Sequence, residues 1–267
     1  AELCAHHSGQ PGPDRNHPAM IEVKHIYKKY EDTYVLNDVS VQFEQGKCNL
    51  IIGRSGSGKT VLLKSIVGLI DLDEGEIWYG NHLFSHMESR ARQEIRQEMG
   101  MLFQGGALFD SLSVEENVMF PLNMLTGQSF REKLERVNFC LDRVRVSHSN
   151  RLYPSELSGG MRKRVAIARA IVLNPKYLFC DEPNSGLDPE TGMVIDRLIK
   201  ELTDEFQMTT IVNTHDMNSV LEIGDKVVYI HDGCKCWEGT REEVLHTDNK
   251  DLNNFVFATR LAKQIKG

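Results

Sequence analysis

Between Met20 and Lys47 apolar and polar residues alternate with a period of two, first in 20-MIEVKHIYKKY-30 and again in 34-YVLNDVSVQFEQGK-47. That period puts the apolar side chains on one face of a pleated ribbon, so both stretches are expected as strands of a small antiparallel sheet. The pattern then changes. The run 47-KCNLIIG-53 is apolar almost without interruption, as in a strand buried on both faces, and it leads through a glycine-rich turn into the helical pattern 59-KTVLLKSIVGLI-70. From about 115 to 157 strand signals vanish. Charged segments with helical spacing replace them, such as 130-FREKLERVNFCLDRV-144 with apolar residues at 134, 137, 141 and 144, and predict an inserted helical subdomain. Strand and helix then alternate: 177-YLFCDE-182, a helix from about Pro189 to Phe206, 208-MTTIVNTH-215, a short helix, and 225-DKVVYIHDG-233. Alternation of this kind predicts an α/β fold with a parallel sheet and crossover helices. The last stretch, 240-TREEVLHTDNKDLNNFVFATRLAKQIKG-267, predicts two helices and is too short for a separate domain. Its Phe255, Leu261 and Ile265 fit packing on the chain's own domain or on a second copy.

With 267 residues, 40% of them hydrophobic, the chain can bury a full core without staples. Its net charge of −7, with basic and acidic residues interspersed, argues against a life on nucleic acid. Six scattered cysteines (Cys4, Cys48, Cys140, Cys180, Cys234, Cys236) include no CxxC pair, and Cys234-Lys235-Cys236 reads as two faces of a strand. A reducing compartment fits that usage. No run approaches the roughly 18 apolar residues a membrane helix needs, so any membrane role is expected to come through a partner. Residues 1–19, rich in Pro, Gly and His and lacking an apolar core, are expected as a disordered leader, native or added, ahead of a natural start at Met20.

The strongest chemical signal is 53-GRSGSGKT-60, a GxxxxGK[ST] phosphate loop between a buried strand and a helix. Backbone N–H groups of Gly53, Arg54, Ser55, Gly56, Ser57 and Gly58 are expected to wrap the phosphates, with Lys59 reaching the β- and γ-phosphates and Thr60 ligating Mg²⁺. Asp181 and Glu182 close an apolar strand; alone they read as a solvated strand end, but beside a phosphate loop Asp181 is expected in the Mg²⁺ shell and Glu182 beside the attacking water. His215 ends a third strand that faces the same crevice, where it can contact the γ-phosphate. The helix opened by 157-LSGG-160 offers the Ser158 hydroxyl and the bare N–H of Gly160 to an anion. A second phosphate-binding edge without its own lysine makes sense if it closes over the nucleotide of another subunit. The rival reading, a nucleic-acid patch of Arg162, Lys163, Arg164 and Arg169, is weakened by the acidic chain. One stretch stands apart: 102-LFQGGALFDSLSVEENV-118 sets Ala107, Leu108, Phe109, Leu112 and Val114, all expected to be exposable, just after a glutamine.

In order and spacing, GRSGSGKT, FQ, LSGG, CDEPNSGLD and NTHD resemble the motif set of the ATP-binding-cassette ATPases, over Ile21 to about Glu238. The resemblance implies a P-loop NTPase fold with a RecA-like parallel-sheet core, an N-terminal antiparallel β subdomain and a helical subdomain at about 105–160. It gives a cassette at 20–238 and a C-terminal helical extension at 239–267. It implies ATP and Mg²⁺ as cofactors, with Tyr30 stacking on adenine and Val61 completing the nucleotide contacts. Glu182, His215 and Gln104 would form the catalytic set, with Gln104 joining Thr60 and Asp181 at the metal. Ser158, Gly159 and Gly160 would act in trans, and Ser185, Gly186, Leu187 and Asp188 would cross the interface of a head-to-tail homodimer. Met161 and Asn184 depart from the family's usual Gln and Thr.

Two segments, LSGGMRKRVAIARA and FQGGALFDSLSVEENVMFPL, are similar to the ATPases of the Mla and Mce lipid-transport systems. This implies a peripheral position on the cytoplasmic face of the inner membrane, a separate integral-membrane permease and an MCE-domain lipid-binding protein as partners. Leu108, Phe109 and Leu112 would then wall a socket for the permease. A small-solute importer or a cell-division ATPase is the alternative; a soluble cassette of DNA repair or translation would carry a coiled-coil insertion or a second cassette.

Overall fold

The computed structural model describes residues 20–257. The leader lies outside the described residues, as do Cys4, Leu261 and Ile265. In chain order the elements are β1 (Ile21–Tyr30), β2 (Thr33–Phe43), β3 (Cys48–Ile52), α1 (Lys59–Ile66), β4 (Glu74–Tyr79), β5 (His82–Leu83), α2 (Ser89–Arg96), β6 (Met99–Leu102), α3 (Val114–Leu125) and α4 (Phe130–Arg143). Then come α5 (Gly159–Ile171), β7 (Tyr177–Asp181), α6 (Pro189–Phe206), β8 (Thr209–Thr214), α7 (Met217–Ile223), β9 (Lys226–His231), β10 (Cys234–Gly239), α8 (Arg241–Val244) and α9 (Lys250–Val256).

The expected β-rich start is an antiparallel sheet in the order β2-β1-β4-β5. The second sheet runs β10-β9-β3-β8-β7-β6, with β9, β3, β8, β7 and β6 parallel and β10 antiparallel at its edge. Its central strands are buried on both faces, which explains their nearly unbroken apolar character. Alternate residues serve two cores. Ile51, Phe179, Ile211 and Val228 face α1 and the antiparallel sheet, while Leu50, Ile52, Cys180, Val212 and Val227 face the helical side.

The inserted helices start on strong local signals. Ser113 and Ser129 each cap their helix in a reciprocal capping box, with Glu116 and Glu132 three residues on. Their apolar faces pack against α5, so the helical layer continues into that helix and the parallel sheet. The pattern predicted the first helix through Ile70, but α1 ends at Ile66. Gly68 turns the chain at φ 74, and a Cβ there would meet the Phe84 ring at 2.9 Å. The described part of the C-terminal stretch packs on its own domain: Leu252 and Val256 join the core, and the Phe255 ring lies 5.6 Å from that of Tyr229. Cys234 and Cys236 both fall on β10, where the register shifts between Lys235 and Trp237.

Candidate functional site

The phosphate loop spans the carboxyl end of β3 and the start of α1, and its shape rests on glycines. Gly53, Gly56 and Gly58 have φ of 154, 81 and 102, conformations that side chains rarely adopt. A Cβ at Gly53 would lie 2.3 Å from the Ile230 carbonyl oxygen, and one at Gly58 2.6 Å from that of Val35. The loop is therefore wedged between β9 and the antiparallel sheet. Gly56 has nothing within 4 Å, leaving an open cradle on the outer side. Arg54 and Ser55 are exposed, whereas Ser57 is buried with its hydroxyl oxygen lacking a partner. Lys59 caps the inner end: it is 6% exposed and its ammonium donates to the carbonyls of Gly53 at 2.9 Å and Arg54 at 3.1 Å. Burial lowers its pKa, with Glu182 and Asp181 acting in the opposite sense. Val61 is half-buried in the first turn of α1, and Tyr30, at the end of β1, is 47% exposed with the Lys28 ammonium 5.6 Å from its ring centroid.

Three parallel strand ends converge beside the loop. Thr60 Oγ1 lies 3.4 Å from Asp181 Oδ1, so a hydroxyl and a carboxylate, hard oxygen donors of the kind Mg²⁺ takes, stand side by side. Glu182 follows in a left-handed backbone conformation, φ 47, fixed by its N–H to the Asn213 carbonyl at 2.8 Å. A non-glycine residue adopts that conformation only at some cost, which this hydrogen bond helps to offset. Its Oε2 lies 2.8 Å from Nδ1 of His215, whose side chain is 61% exposed while that of Glu182 is 15% exposed. A carboxylate so placed can accept a proton, and the imidazole fixes its direction.

Gln104 is on a loop rather than at the metal donors. Its Nε2 donates to Ser185 Oγ at 3.2 Å, and no hydrogen bond joins it to Thr60 or Asp181 among the described residues. Gln104 is expected in the metal shell; here its amide meets Ser185 of the segment 185–188. Two cations of α5 hold this loop. Lys163, 5% exposed, donates to the Gln104 carbonyl, and Arg169 donates to those of Gly106 and Ala107, both at 2.8 Å. Arg162 and Arg164 bond the carbonyls of Leu157 and Arg145. All four basic residues of the rival nucleic-acid patch thus bond carbonyls of the chain's own backbone.

Beyond Gln104 the apolar run divides. Phe109 is 43% exposed, with its ring 4.9 Å from that of Phe120, itself 39% exposed. Leu108 and Leu112 are half-buried, and Val114, expected at the surface, is fully buried as the first residue of α3. Asn117, a residue with no motif around it to mark it, holds the segment together. Its Oδ1 accepts from Phe109 N at 2.8 Å, and its Nδ2 donates to the carbonyls of Phe109, Leu112 and Ser113, each at 3.0 Å.

Ser158 caps α5 through Met161 N at 3.3 Å. The absent side chains of Gly159 and Gly160 allow close approach of Leu187 and Thr191: a Cβ at Gly160 would sit 2.8 Å from Thr191 Cγ2. Gly186 is open at φ 79, and Asp188 caps α6 through Thr191 N at 2.9 Å. The 158–160 edge and the 185–188 segment therefore form one unit, and no hydrogen bond ties 158–160 to the phosphate loop among the described residues.

Asn184 adds a buried polar cluster behind this unit. Its Nδ2 donates to Asp196 Oδ2 at 2.8 Å and Ser219 Oγ at 3.1 Å, linking α6 to α7. Asp196 is 1% exposed, and burial pushes its pKa up to about 6 against hydrogen bonds from Ser219 and Asn184 that pull it down. A carboxyl group raised this way favours the fold fully below its unfolded value near 4, and the benefit disappears as pH rises through about 6. Asp196→Asn should therefore raise stability by about 1–2 kcal/mol at pH 8 and by nothing at pH 4, read as denaturation midpoints across that range. A gain that does not depend on pH would contradict this account.

A glycine cradle at a helix start, flanked by a threonine, two strand-end carboxylates and a histidine, defines an ATP-hydrolysing cassette. The family model described as ABC transporter matches residues 36–185, and the chain belongs to that family. It is 39% identical to the intermembrane phospholipid transport system ATP-binding protein MlaF of Haemophilus influenzae, over 89% of this chain and 90% of that one. It is 36% identical to the methionine import ATP-binding protein MetN of Campylobacter jejuni, over 89% and 75% respectively. A dimeric ATP-binding cassette in a post-hydrolysis state with ADP and Pi superposes with a TM-score of 0.75 at 32% identity, over 83% of this chain and 98% of that chain. The protein is the ATPase subunit of a transporter and uses ATP with Mg²⁺. ATPases of this kind act as dimers with membrane permease partners.

Proposed function

We propose that this chain powers the transport of a lipid, specifically a phospholipid, through a separate permease, as a head-to-tail homodimer on the cytoplasmic face of the inner membrane. An MCE-domain lipid-binding protein is the further partner of this reading. The observation that carries it is the Phe109–Phe120 surface next to the Gln104 loop, in a segment similar to lipid-transport ATPases, together with the 39% identity to a phospholipid-system relative. Methionine import is the second reading, favoured by the MetN relatives. Co-purification of the permease followed by mass spectrometry of its bound cargo tests the choice: a phospholipid supports the first reading, and methionine-stimulated ATPase activity without bound lipid rejects it.

In this reading residues 20–238 form the cassette, with 239–267 as its C-terminal extension. Tyr30 stacks on the adenine, residues 53–61 hold the phosphates, and Lys59 contacts the β- and γ-phosphates. Thr60 and Asp181 hold Mg²⁺, with Gln104 approaching when the loop engages the nucleotide. When bound by these residues, the ion would supply neutralisation of the phosphates' negative charge. Glu182 takes the proton of the attacking water while its oxygen attacks the γ-phosphorus, and the bond to ADP breaks; His215 orients Glu182 and contacts the γ-phosphate. Ser158, Gly159 and Gly160 cover the nucleotide of the second copy, and Ser185, Gly186, Leu187 and Asp188 cross between copies. Composite sites of this kind make nucleotide binding and dimer closure one event.

Leu108, Phe109 and Leu112 would receive a permease helix, on a loop fixed by Asn117 and Arg169. Exposed aromatic surface beside a polar switch residue commonly marks a partner site. Phe109→Asp should remove assembly with the permease, seen as loss of co-purification, and leave ATP affinity within about twofold. Undiminished co-purification would rule out the socket.

A further inference from the structure

Asn213 is a polar residue in the middle of a fully buried strand, and it is 0% exposed. The chain contains a second such residue, and the contrast is informative. Asn49 on β3 uses its whole amide on the backbone: Oδ1 accepts from Glu44 N, and Nδ2 donates to the carbonyls of Glu44, Lys47 and Thr210. Its role is to staple a strand entrance. Asn213 makes no such use of its side chain. Its Nδ2 donates to Asp181 Oδ1 at 2.7 Å and to Thr60 Oγ1 at 3.3 Å, while its Oδ1 is buried with no partner.

An unsatisfied buried acceptor costs about 1–3 kcal/mol, so a valine would serve the core better at this place. The amide is not reversible either, because turning it would set Oδ1 against the Asp181 carboxylate. Asn213 sits directly between the neighbours it serves: on β8 it pairs with Ile51 of β3 on one side and Asp181 of β7 on the other. Its side chain shares the face of Ile211, toward α1 and hence Thr60. The one amide group thus spans the two oxygens that stand 3.4 Å apart.

We propose that Asn213 is a positioning residue for the Mg²⁺ site: its Nδ2 holds Asp181 and Thr60 in one fixed arrangement, leaving Asp181 Oδ2 free for the metal shell. Groups that orient metal-binding side chains commonly govern affinity for the ion as strongly as tenfold or more. The proposal rests on the assignment of Thr60 and Asp181 as the Mg²⁺-holding pair. The fixed arrangement is present before nucleotide arrives, so ordering these side chains adds no cost on binding.

The test is the gain in ATP affinity on adding Mg²⁺, measured by calorimetry in excess Mg²⁺ and in excess EDTA for the wild type, Asn213→Val, Asn213→Ala and Asp181→Asn. The expected result is a loss of about tenfold in that gain for both Asn213 variants, with affinity in EDTA unchanged within about twofold. A purely structural role would lower both affinities together and leave their ratio intact, which overturns the proposal. An Asp181→Asn gain equal to the wild type shows instead that the pair does not hold the metal, and the underlying assignment fails with it. If neither Asn213 variant folds, the residue belongs to the core and the proposal is equally overturned.

Discussion

Glu182→Gln is expected to reduce steady-state ATP hydrolysis by a factor of about 10²–10⁴ while leaving ATP affinity within about twofold. The substitution keeps the shape and most hydrogen bonding but removes the oxygen that can take a proton. The surroundings of this side chain fit that task. The left-handed backbone turns it off the end of β7, the Asn213 carbonyl pins its N–H, and His215 Nδ1 sits 2.8 Å from Oε2. None of these contacts depends on the phosphate loop, which accounts for the predicted separation between binding and turnover. Steady-state release of phosphate alongside nucleotide titration checks both halves. Turnover equal to the wild type would remove Glu182 from the role of base.

Lys59→Ala is the opposite case, because its first effect falls on binding. The ammonium is buried at the inner end of the loop, where the carbonyls of Gly53 and Arg54 occupy it and its pKa is lowered by desolvation. An incoming phosphate supplies the counter-charge that burial has withheld. A charge-assisted hydrogen bond lost at such a position costs about 1.5–3 kcal/mol, or roughly ten- to hundredfold in ATP affinity. Calorimetric titration reads this directly, and an unchanged affinity would exclude Lys59 from the phosphate contacts. The two variants differ in kind: one binds without turning over, the other turns over little because it binds poorly.

The residues proposed to touch phosphate were legible because their chemistry is local. GRSGSGKT contains its own glycines and lysine in eight consecutive positions, and Asp181, Glu182 and His215 each end an apolar strand. What could not be read were meetings between distant positions. Asn213 and Thr60 lie 153 residues apart, and the Asn184–Asp196–Ser219 cluster joins the loop after β7 to α6 and α7. A lone Asn inside the buried pattern 208-MTTIVNTH-215 was the available signal for Asn213, since such strands rarely spend a core position on an amide. Hydrophobicity alone also failed to separate Phe109 from Val114. The Ser113-to-Glu116 capping box marks Val114 as the first turn of a helix, and that local signature would have assigned it to the core. Nor could the partner of Gln104 be read: its Nε2 meets Ser185 Oγ, eighty-one positions away, a pairing that no spacing rule contains.

In the proposed function each ATP site is completed by a second copy of the chain. The direct measurement is the solution mass of Glu182→Gln by light scattering, with and without saturating ATP and Mg²⁺. Bound ATP that is not hydrolysed should hold the two copies together, so the account predicts a mass near twice that of the nucleotide-free chain, returning to the single-chain value when Ser158→Arg is added. A single-chain mass at saturating ATP, with binding shown in the same sample, would contradict it.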